Sequence, residues 1–346
     1  MKIVKNIFGI ILLSSITLYA AGKLNVVTTL STYADIAKYI GGDKVDVHYI
    51  VQGDEDAHFV RPKPSFAVML SKADVFVSTG LDLELWVPTL VDLSKNEKIR
   101  SGQPGFVAAY DGIDLLDKPT NLSRSEGGLH IYGNPHITSS PLNLKVIAEN
   151  IEIGLEKNDP ANSAFYQKNL KKFKDEIDKH VFGEKLVKLM GGKLLTKLAD
   201  SGKLIDFLSS KEYKGKKLIE DLGGWLKKGM IFRGKKIVAY HKNWIYFKQL
   251  FGIEVIGHVE PKPGIPPSPK HVEELVQDMR KNKVKVVLAA NYFDEYKVKK
   301  ICNKVGAIPV IVPMYVNGAP GTENVFKLTD YWVDHLSEAF KKVEEQ

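Results

Sequence analysis

The sequence predicts an α/β protein of two lobes, each built on a parallel sheet, with a long helix joining them. Short β-branched runs alternate with helical patterns in the N-terminal part and again in the C-terminal part, which is typical of parallel strands with helical crossovers. Between these parts, apolar residues fall on one stripe at spacings of three and four residues, as on a single helix: Tyr166, Leu170, Phe173, Ile177 and Val181.

The first twenty residues are predicted to be a signal peptide. Lys2 and Lys5 precede an apolar stretch at residues 7–18, and the small residues Ala20 and Ala21 follow it. The stretch is too short to span a bilayer comfortably, so we expect residues 1–20 to be removed near Ala20 and the mature chain to reside in the periplasm. The alternative is a buried strand or helix at the N-terminus.

The N-terminal lobe is predicted to span residues 21–140. Each of its strand candidates is a short run containing β-branched or aromatic residues. The strands are expected at residues 24–30, 44–51, 74–80 and 106–110, and the helices at 32–40, 64–72 and 84–93.

The C-terminal lobe is predicted to span residues 231–346 and to repeat this order. Ser268 before Pro269 is a sound helix start, and Asp294 is expected to cap the next helix. A final amphipathic helix is expected from Glu323 to the C-terminus. The strands are expected at residues 235–241, 253–260, 284–290 and 307–314, with a helix at 244–251 after the first.

Between the lobes, residues 141–185 are predicted to be a helical region that includes the joining helix, and residues 186–230 an inserted helical segment. The apolar positions of the insertion recur near helical spacing, which favours helices packed against the second lobe. The net charge of +8 comes largely from lysines on such helical patterns. We interpret them as a solvated surface, and we expect no nucleic-acid partner for an exported chain.

Three histidines follow predicted strands. His58 comes after the second strand, His136 after the fourth, and His241 ends the first strand of the second lobe. Because ligands of open α/β sheets bind at the carboxyl ends of strands, these side chains can meet in a cleft between the lobes. Neutral imidazoles suit Zn²⁺, which takes four ligands in a tetrahedron. His130 and His258 are expected to support this site from outside it.

The residues around these histidines resemble the metal-binding receptors of bacterial zinc, manganese and iron ABC transporters. The matching stretches are DAHFVRPKPS around His58, GNPH at His136 and AYHKNWIYF around His241, with further matches at residues 69–86, 159–166 and 260–269. The resemblance implies two lobes joined by a rigid helix, with the three histidines as metal ligands between them.

The implied function is capture of a divalent metal ion and its delivery to a membrane permease, by a monomer that is not an enzyme. Zn²⁺ is the expected ion, with Mn²⁺, Fe²⁺ or Fe³⁺ as alternatives. The family's frequent fourth ligand, an Asp after the last strand, has no counterpart in PMYVNGAPGTEN, and Ala57 occupies the position directly before the first histidine. The fourth ligand is therefore left open among water, Asn317, Glu323 and Glu260. Glu260 can instead orient His241 through its other ring nitrogen.

Two other functions remain open at this point. Three histidines with an open coordination position can activate water, as in a metallohydrolase or lyase, although no general base is evident beside them. A surface adhesin of the same family is the other. The inserted segment also has an alternative role, as a surface that contacts the transporter or gates the cleft.

Overall fold

The first sheet consists of four parallel strands in the spatial order β2-β1-β3-β4. The computed structural model describes residues 22–119, 130–261 and 264–345, so the predicted signal peptide lies outside the described residues. The strands are β1 (Leu24–Leu30), β2 (Val45–Val51), β3 (Val75–Ser78) and β4 (Phe106–Ala108), and the helices between them are α1 (Ser31–Gly41), α2 (Pro64–Ser71) and α3 (Val87–Ser94).

The central strand β1 shows why the sequence folds this way. Its run of β-branched residues is buried from Val26 onward, and Val26 pairs with Val47 of β2 on one side and with Val75 of β3 on the other. A strand that is buried on both faces has a nearly continuous run of apolar and β-branched residues in its sequence. This pattern predicted β1.

Two long helices and a set of shorter elements follow the first sheet. The long helices are α4 (Asn143–Asn158) and the predicted joining helix α5 (Ser163–Phe182). The shorter elements are α6 (Glu184–Met190), α7 (Gly192–Asp200), α8 (Leu204–Ser210), a hairpin of β5 (Glu212–Tyr213) and β6 (Lys216–Lys217), and α9 (Gly224–Lys228).

The second sheet is also fully parallel, in the order β10-β9-β7-β8. Numbered from its own first strand, this is the arrangement of the first sheet, so the two lobes share one topology and the predicted fold class is confirmed. The strands are β7 (Lys236–Ala239), β8 (Glu254–His258), β9 (Val286–Ala290) and β10 (Ile308–Val312), and the helices are α10 (Ile245–Phe251), α11 (Pro269–Lys281), α12 (Glu295–Val305) and α13 (Val325–Glu344).

The lobes are tied together by buried contacts. One hydrophobic cluster contains residues of both sheets. The Ser31 hydroxyl donates to the Val316 carbonyl at 2.7 Å, the Val316 N–H donates to the Thr32 hydroxyl at 3.3 Å, and the Val325 N–H donates to the Asp35 carboxylate at 2.9 Å. These bonds join the start of α1 to the loop after β10 and to the first residue of α13 in the other lobe.

The inserted helices pack against the joining helix as well as against the second lobe, where the sequence predicted them. α6, α7 and α9 lie against the joining helix α5, and α9 also contacts α13. The Trp225 indole N–H donates to Asp330 on α13 at 2.8 Å, and the Trp225 ring lies 5.0 Å from the His180 ring of α5. The insertion therefore covers the joining helix and reaches the second lobe through α13. Among the described helices, none has both the length and the apolar content that a bilayer crossing requires.

Candidate metal centre

Four histidine side chains converge between the lobes. One ring nitrogen from each of His58, His130, His136 and His241 lies within 4.8 Å of all the others. The Nε2 atoms of His58 and His130 are 3.4 Å apart. In a tetrahedral zinc site with Zn–N bonds of about 2.0–2.1 Å, neighbouring nitrogens are about 3.3–3.4 Å apart. This pair already has the spacing of two ligands of one ion.

Each histidine follows a strand of one of the two sheets along the chain. His58 lies in a 3₁₀ turn (Ala57–Phe59) after β2, and His241 follows β7. His130 and His136 lie on the segment between β4 and α4, where the His136 N–H donates to the Asn134 side chain at 3.0 Å. All four therefore lie beyond the carboxyl ends of strands, where open parallel sheets bind ligands.

Three of the histidines are backed by carboxylates. The Nδ1 atom of His58 is 2.7 Å from Asp56, and that of His130 is 3.0 Å from Asp82. The Nδ1 atom of His241 is 2.5 Å from Glu260. A proton on Nδ1 satisfies each of these contacts and leaves Nε2 free to bind a metal, which is how carboxylates orient metal-bound histidines.

The carboxylates are themselves fixed by backbone N–H groups. Asp56 accepts from the N–H of His58 at 3.0 Å, Asp82 accepts from that of Ile131 at 3.0 Å, and Glu260 accepts from that of Gly264 at 2.8 Å. These bonds hold the acids in place and so fix the orientation of the imidazole rings in front of them.

The remaining ring nitrogens of the cluster, on His136 and His241, have no hydrogen-bond partner among the described residues. His136 is 1 % exposed, and neither of its ring nitrogens bonds to any described residue. The Nε2 atom of His241 is also buried and unpaired among the described residues. Buried polar atoms without a partner are uncommon, because each costs about 1–3 kcal/mol. A cation at the centre of the cluster would satisfy one ring nitrogen of His136 together with the Nε2 atom of His241.

Burial keeps two of the imidazoles neutral. It lowers the pKa of His136 well below its usual value, and neighbouring His58, His241 and His130 lower it further. Burial also lowers the pKa of His241, although the hydrogen bond to Glu260 opposes this effect. Neutral imidazole is the form that binds metal, so the site is electrostatically prepared for a cation.

The acid behind His58 stays charged. Burial is the largest influence on the pKa of Asp56 and raises it, but the hydrogen bonds from the ring and backbone of His58, with the attraction to His58 and His241, together outweigh burial, and the net shift is downward. A neutral ligand nitrogen in front of a charged carboxylate is favourable for binding a divalent cation.

The protein groups that were candidates for the fourth ligand all make other contacts. Asn317 is exposed in the turn after β10, where its N–H donates to the Thr322 carbonyl at 2.8 Å. Glu323 is also exposed and pairs with Lys327 at 2.9 Å. Glu260 lies behind His241 in the orienting position. The fourth nitrogen of the cluster comes instead from His130, which the sequence had placed outside the site.

The other histidines lie apart from the cluster. His258 lines a neighbouring cavity, and burial lowers its pKa to about 4. His48 pairs with Asp46, and His271 contacts the carbonyl of His258. The last two are His180 on α5 and His335 on α13, and both pack against aromatic rings.

Sequence reasoning also missed Asp56 and Asp82 as supports. The available signal was position: Asp56 stands two residues before His58, and Asp82 follows the carboxyl end of β3, in the same row as the other site residues. The pairing of His130 with Asp82 depends on the tertiary fold, since 48 residues separate them.

A cavity of about 320 Å³ opens from the cluster, bounded by His58, His130, His241 and the carboxylates behind them. Its remaining wall includes the apolar side chains Phe59, Leu83, Leu85 and Phe293. An ion can therefore reach the ligand nitrogens through this cavity, whose wall is partly apolar.

The family model for the periplasmic zinc-uptake complex component A, ZnuA, matches residues 26–181 and 210–339. The chain belongs to this family. The resemblance read from the sequence motifs is thereby confirmed, and the family is one of substrate-binding proteins of ABC transporters, not of enzymes. Residues 182–209, within the inserted helices, lie between the two matched ranges.

Curated relatives include metal transport proteins of streptococci. The manganese ABC transporter substrate-binding lipoprotein PsaA of Streptococcus pneumoniae is 35 % identical over 161 residues, which is 45 % of this chain and 49 % of the relative. The match thus spans about half the length of that protein. The metal ABC transporter substrate-binding lipoprotein ScbA of Streptococcus cristatus is 25 % identical over 331 residues, covering 93 % of this chain and 90 % of the relative.

Solved structures share the fold. A crystal structure of ZnuA aligns with a TM-score of 0.66 at 19 % identity, covering 92 % of this chain and 99 % of that one. A manganese-bound periplasmic metal-binding protein from Candidatus Liberibacter asiaticus aligns with a TM-score of 0.63 at 18 % identity, covering 92 % and 100 %. At these identities the likeness establishes the two-lobed architecture.

Proposed function

We propose that this chain captures Zn²⁺ in the periplasm and delivers it to the permease of an ABC transporter. The observation that carries the proposal is the convergence of four histidine nitrogens within 4.8 Å. In this proposal His58, His130, His136 and His241 each supply one ligand. Four neutral imidazoles complete the tetrahedral coordination that zinc prefers in proteins.

The donor set favours zinc over manganese. Imidazole nitrogen suits zinc, copper, nickel and iron, whereas manganese prefers carboxylate and other oxygen ligands. The nearby acids Asp56, Asp82 and Glu260 each contact the Nδ1 atom of a histidine, on the side away from the shared centre. Relatives named for manganese therefore support the transport role of this chain without fixing its ion.

The same donor set supports transport rather than catalysis. A hydrolytic zinc site keeps one coordination position open for water, with a base beside it. Four histidine nitrogens occupy all four positions of a tetrahedron. A ligand-saturated ion is suited to capture and transfer, so the metallohydrolase alternative is disfavoured.

Metal loading tests the proposed cargo. The chain is purified without a histidine tag, stripped with a chelator, and dialysed against equimolar Zn²⁺ and Mn²⁺ at neutral pH. We expect about one zinc per chain and little manganese, because the site offers only nitrogen donors. Elemental analysis of the dialysed protein gives the result. Preferential loading of manganese would reject zinc as the cargo.

Substitution of the orienting acid tests the role of Glu260. In Glu260→Gln the side chain keeps its size and an acceptor oxygen but loses its charge, so we expect zinc affinity to fall about 10–100-fold. Glu323→Gln is the matched control, since Glu323 is exposed and pairs only with Lys327 and the Gly321 N–H among the described residues. Competition with a chromogenic chelator measures both affinities. A large loss in the Glu323 variant alone would place the fourth ligand there.

A further inference from the structure

The segment Glu184–Lys217 concentrates positive charge. It holds nine lysines and four acidic residues, so about a tenth of the chain carries a net charge of +5, out of +8 for the whole protein. We call this segment the lysine-rich insertion. Residues 184–209, which hold five of the nine lysines, lie outside the ranges matched by the family model.

The charges of the insertion are not neutralised locally. All nine lysines are exposed, and among the described residues only Lys185 pairs with a carboxylate, that of Asp221. On the neighbouring helix α5, three of the five lysines have acidic partners: Lys171, Lys172 and Lys174. The insertion thus presents eight ammonium groups that have no carboxylate partner among the described residues.

Apolar side chains are exposed among these lysines. Leu189 and Leu194 are 37 % and 46 % exposed, next to Lys188 and Lys193, and Tyr213 of the hairpin is 48 % exposed. Leucine and aromatic side chains interspersed with lysines are typical of helices that lie at a membrane surface. Lysines bind the headgroups there, while the apolar side chains reach the acyl boundary.

We propose that the lysine-rich insertion binds the anionic phospholipid headgroups of the membrane that carries the transporter. The presence of that membrane beside the protein rests on the proposed function, whereas the lipid contact rests on charge complementarity. Lysines spread over several short elements suit a fluid array of headgroups better than one fixed carboxylate on a partner protein. Each lysine near such a surface is expected to strengthen binding about fivefold, and salt is expected to weaken it.

Sedimentation with vesicles tests the proposal. We expect the full chain to bind vesicles of phosphatidylcholine containing phosphatidylglycerol, and not vesicles of phosphatidylcholine alone. The triple variant Lys188→Glu, Lys197→Glu and Lys216→Glu should lose at least tenfold in binding. A second variant, Leu189→Ser with Leu194→Ser, should bind more weakly while its charge is unchanged.

A matched control separates this surface from net charge. Lys281→Glu, Lys300→Glu and Lys342→Glu remove the same charge from exposed lysines of the second lobe, and binding should stay within about fivefold of the unchanged protein. Equal losses in both triple variants would overturn the proposal, as would the absence of binding to anionic vesicles. Zinc affinity is measured on every sample, so failure of the metal site is seen separately.

Discussion

Replacing His136 with leucine is expected to weaken zinc binding about a hundredfold and at the same time to stabilise the metal-free protein. Four-ligand zinc sites are worth roughly 10–16 kcal/mol, so losing one ligand should cost about 3 kcal/mol, or about two orders of magnitude in affinity. Leucine also removes two buried nitrogens that have no partner among the described residues, which should raise the unfolding free energy by about 1 kcal/mol or more. Chelator competition and urea unfolding measure the two effects.

The opposite signs of these effects distinguish a ligand from a packing residue. A histidine that only fills the core would lose stability on substitution and leave zinc affinity unchanged. His335→Leu is the control, because His335 stacks on Tyr331 outside the cluster and should leave zinc affinity as it was. Unchanged zinc affinity in the His136 variant would refute its role as a ligand.

Zinc is expected to raise the melting temperature of the protein by roughly 6 °C at a thousandfold excess over its dissociation constant. Such an excess adds about 4.1 kcal/mol to the free energy of unfolding, and a chain of this size gains about 0.7 kcal/mol/K of entropy on melting. Scanning calorimetry with and without zinc measures the shift, with Mg²⁺ as the control ion. A melting temperature that ignores zinc at pH 7.5 would contradict metal binding by the native state.

The free energy of unfolding of the metal-free protein should decrease as the pH is lowered from about 6.5 towards the native pKa values of His136 and His241. Because burial lowers the pKa of His136 and His241 in the native state, the unfolded chain binds protons first as the pH drops below about 6.5. Unfolding is then favoured by up to about 1.4 kcal/mol per pH unit for each histidine, until its native pKa is reached. Urea unfolding at several pH values should show a shallower dependence in the His136→Leu variant.

The fold could be predicted because its signals are local. The buried strand at residues 24–30 is a run of β-branched residues, and Asp294 does cap a helix, accepting from the Lys297 N–H. The ends of helices and strands are harder to predict from the sequence, because they depend on tertiary contacts. The helix expected from Glu84 begins at Val87, since the Glu84 carboxylate instead accepts hydrogen bonds from Thr29 and Thr79 in the core.

The candidate site could be predicted only in part, for the same reason. His58, His136 and His241 stand in recognisable motifs, and the structure brings their side chains together. His130 stands in no such motif. It is held in the cluster by Asp82 of the loop after β3, which contacts the His130 ring and accepts from the Ile131 N–H. Asn317 and Glu323, by contrast, are candidates for a fourth ligand because they are close in sequence to the last strand. Closeness in sequence does not give the distance from a side chain to the cleft.

X-ray absorption at the zinc edge of the loaded protein tests most directly the claim that four histidines bind one ion. We expect a first shell of four nitrogens at about 2.0–2.1 Å, with the outer-shell scattering of four imidazole rings. His130→Ala should reduce the imidazole count by one while the protein remains folded. A first shell with carboxylate oxygen or with three or fewer imidazoles in the unaltered protein would contradict the account.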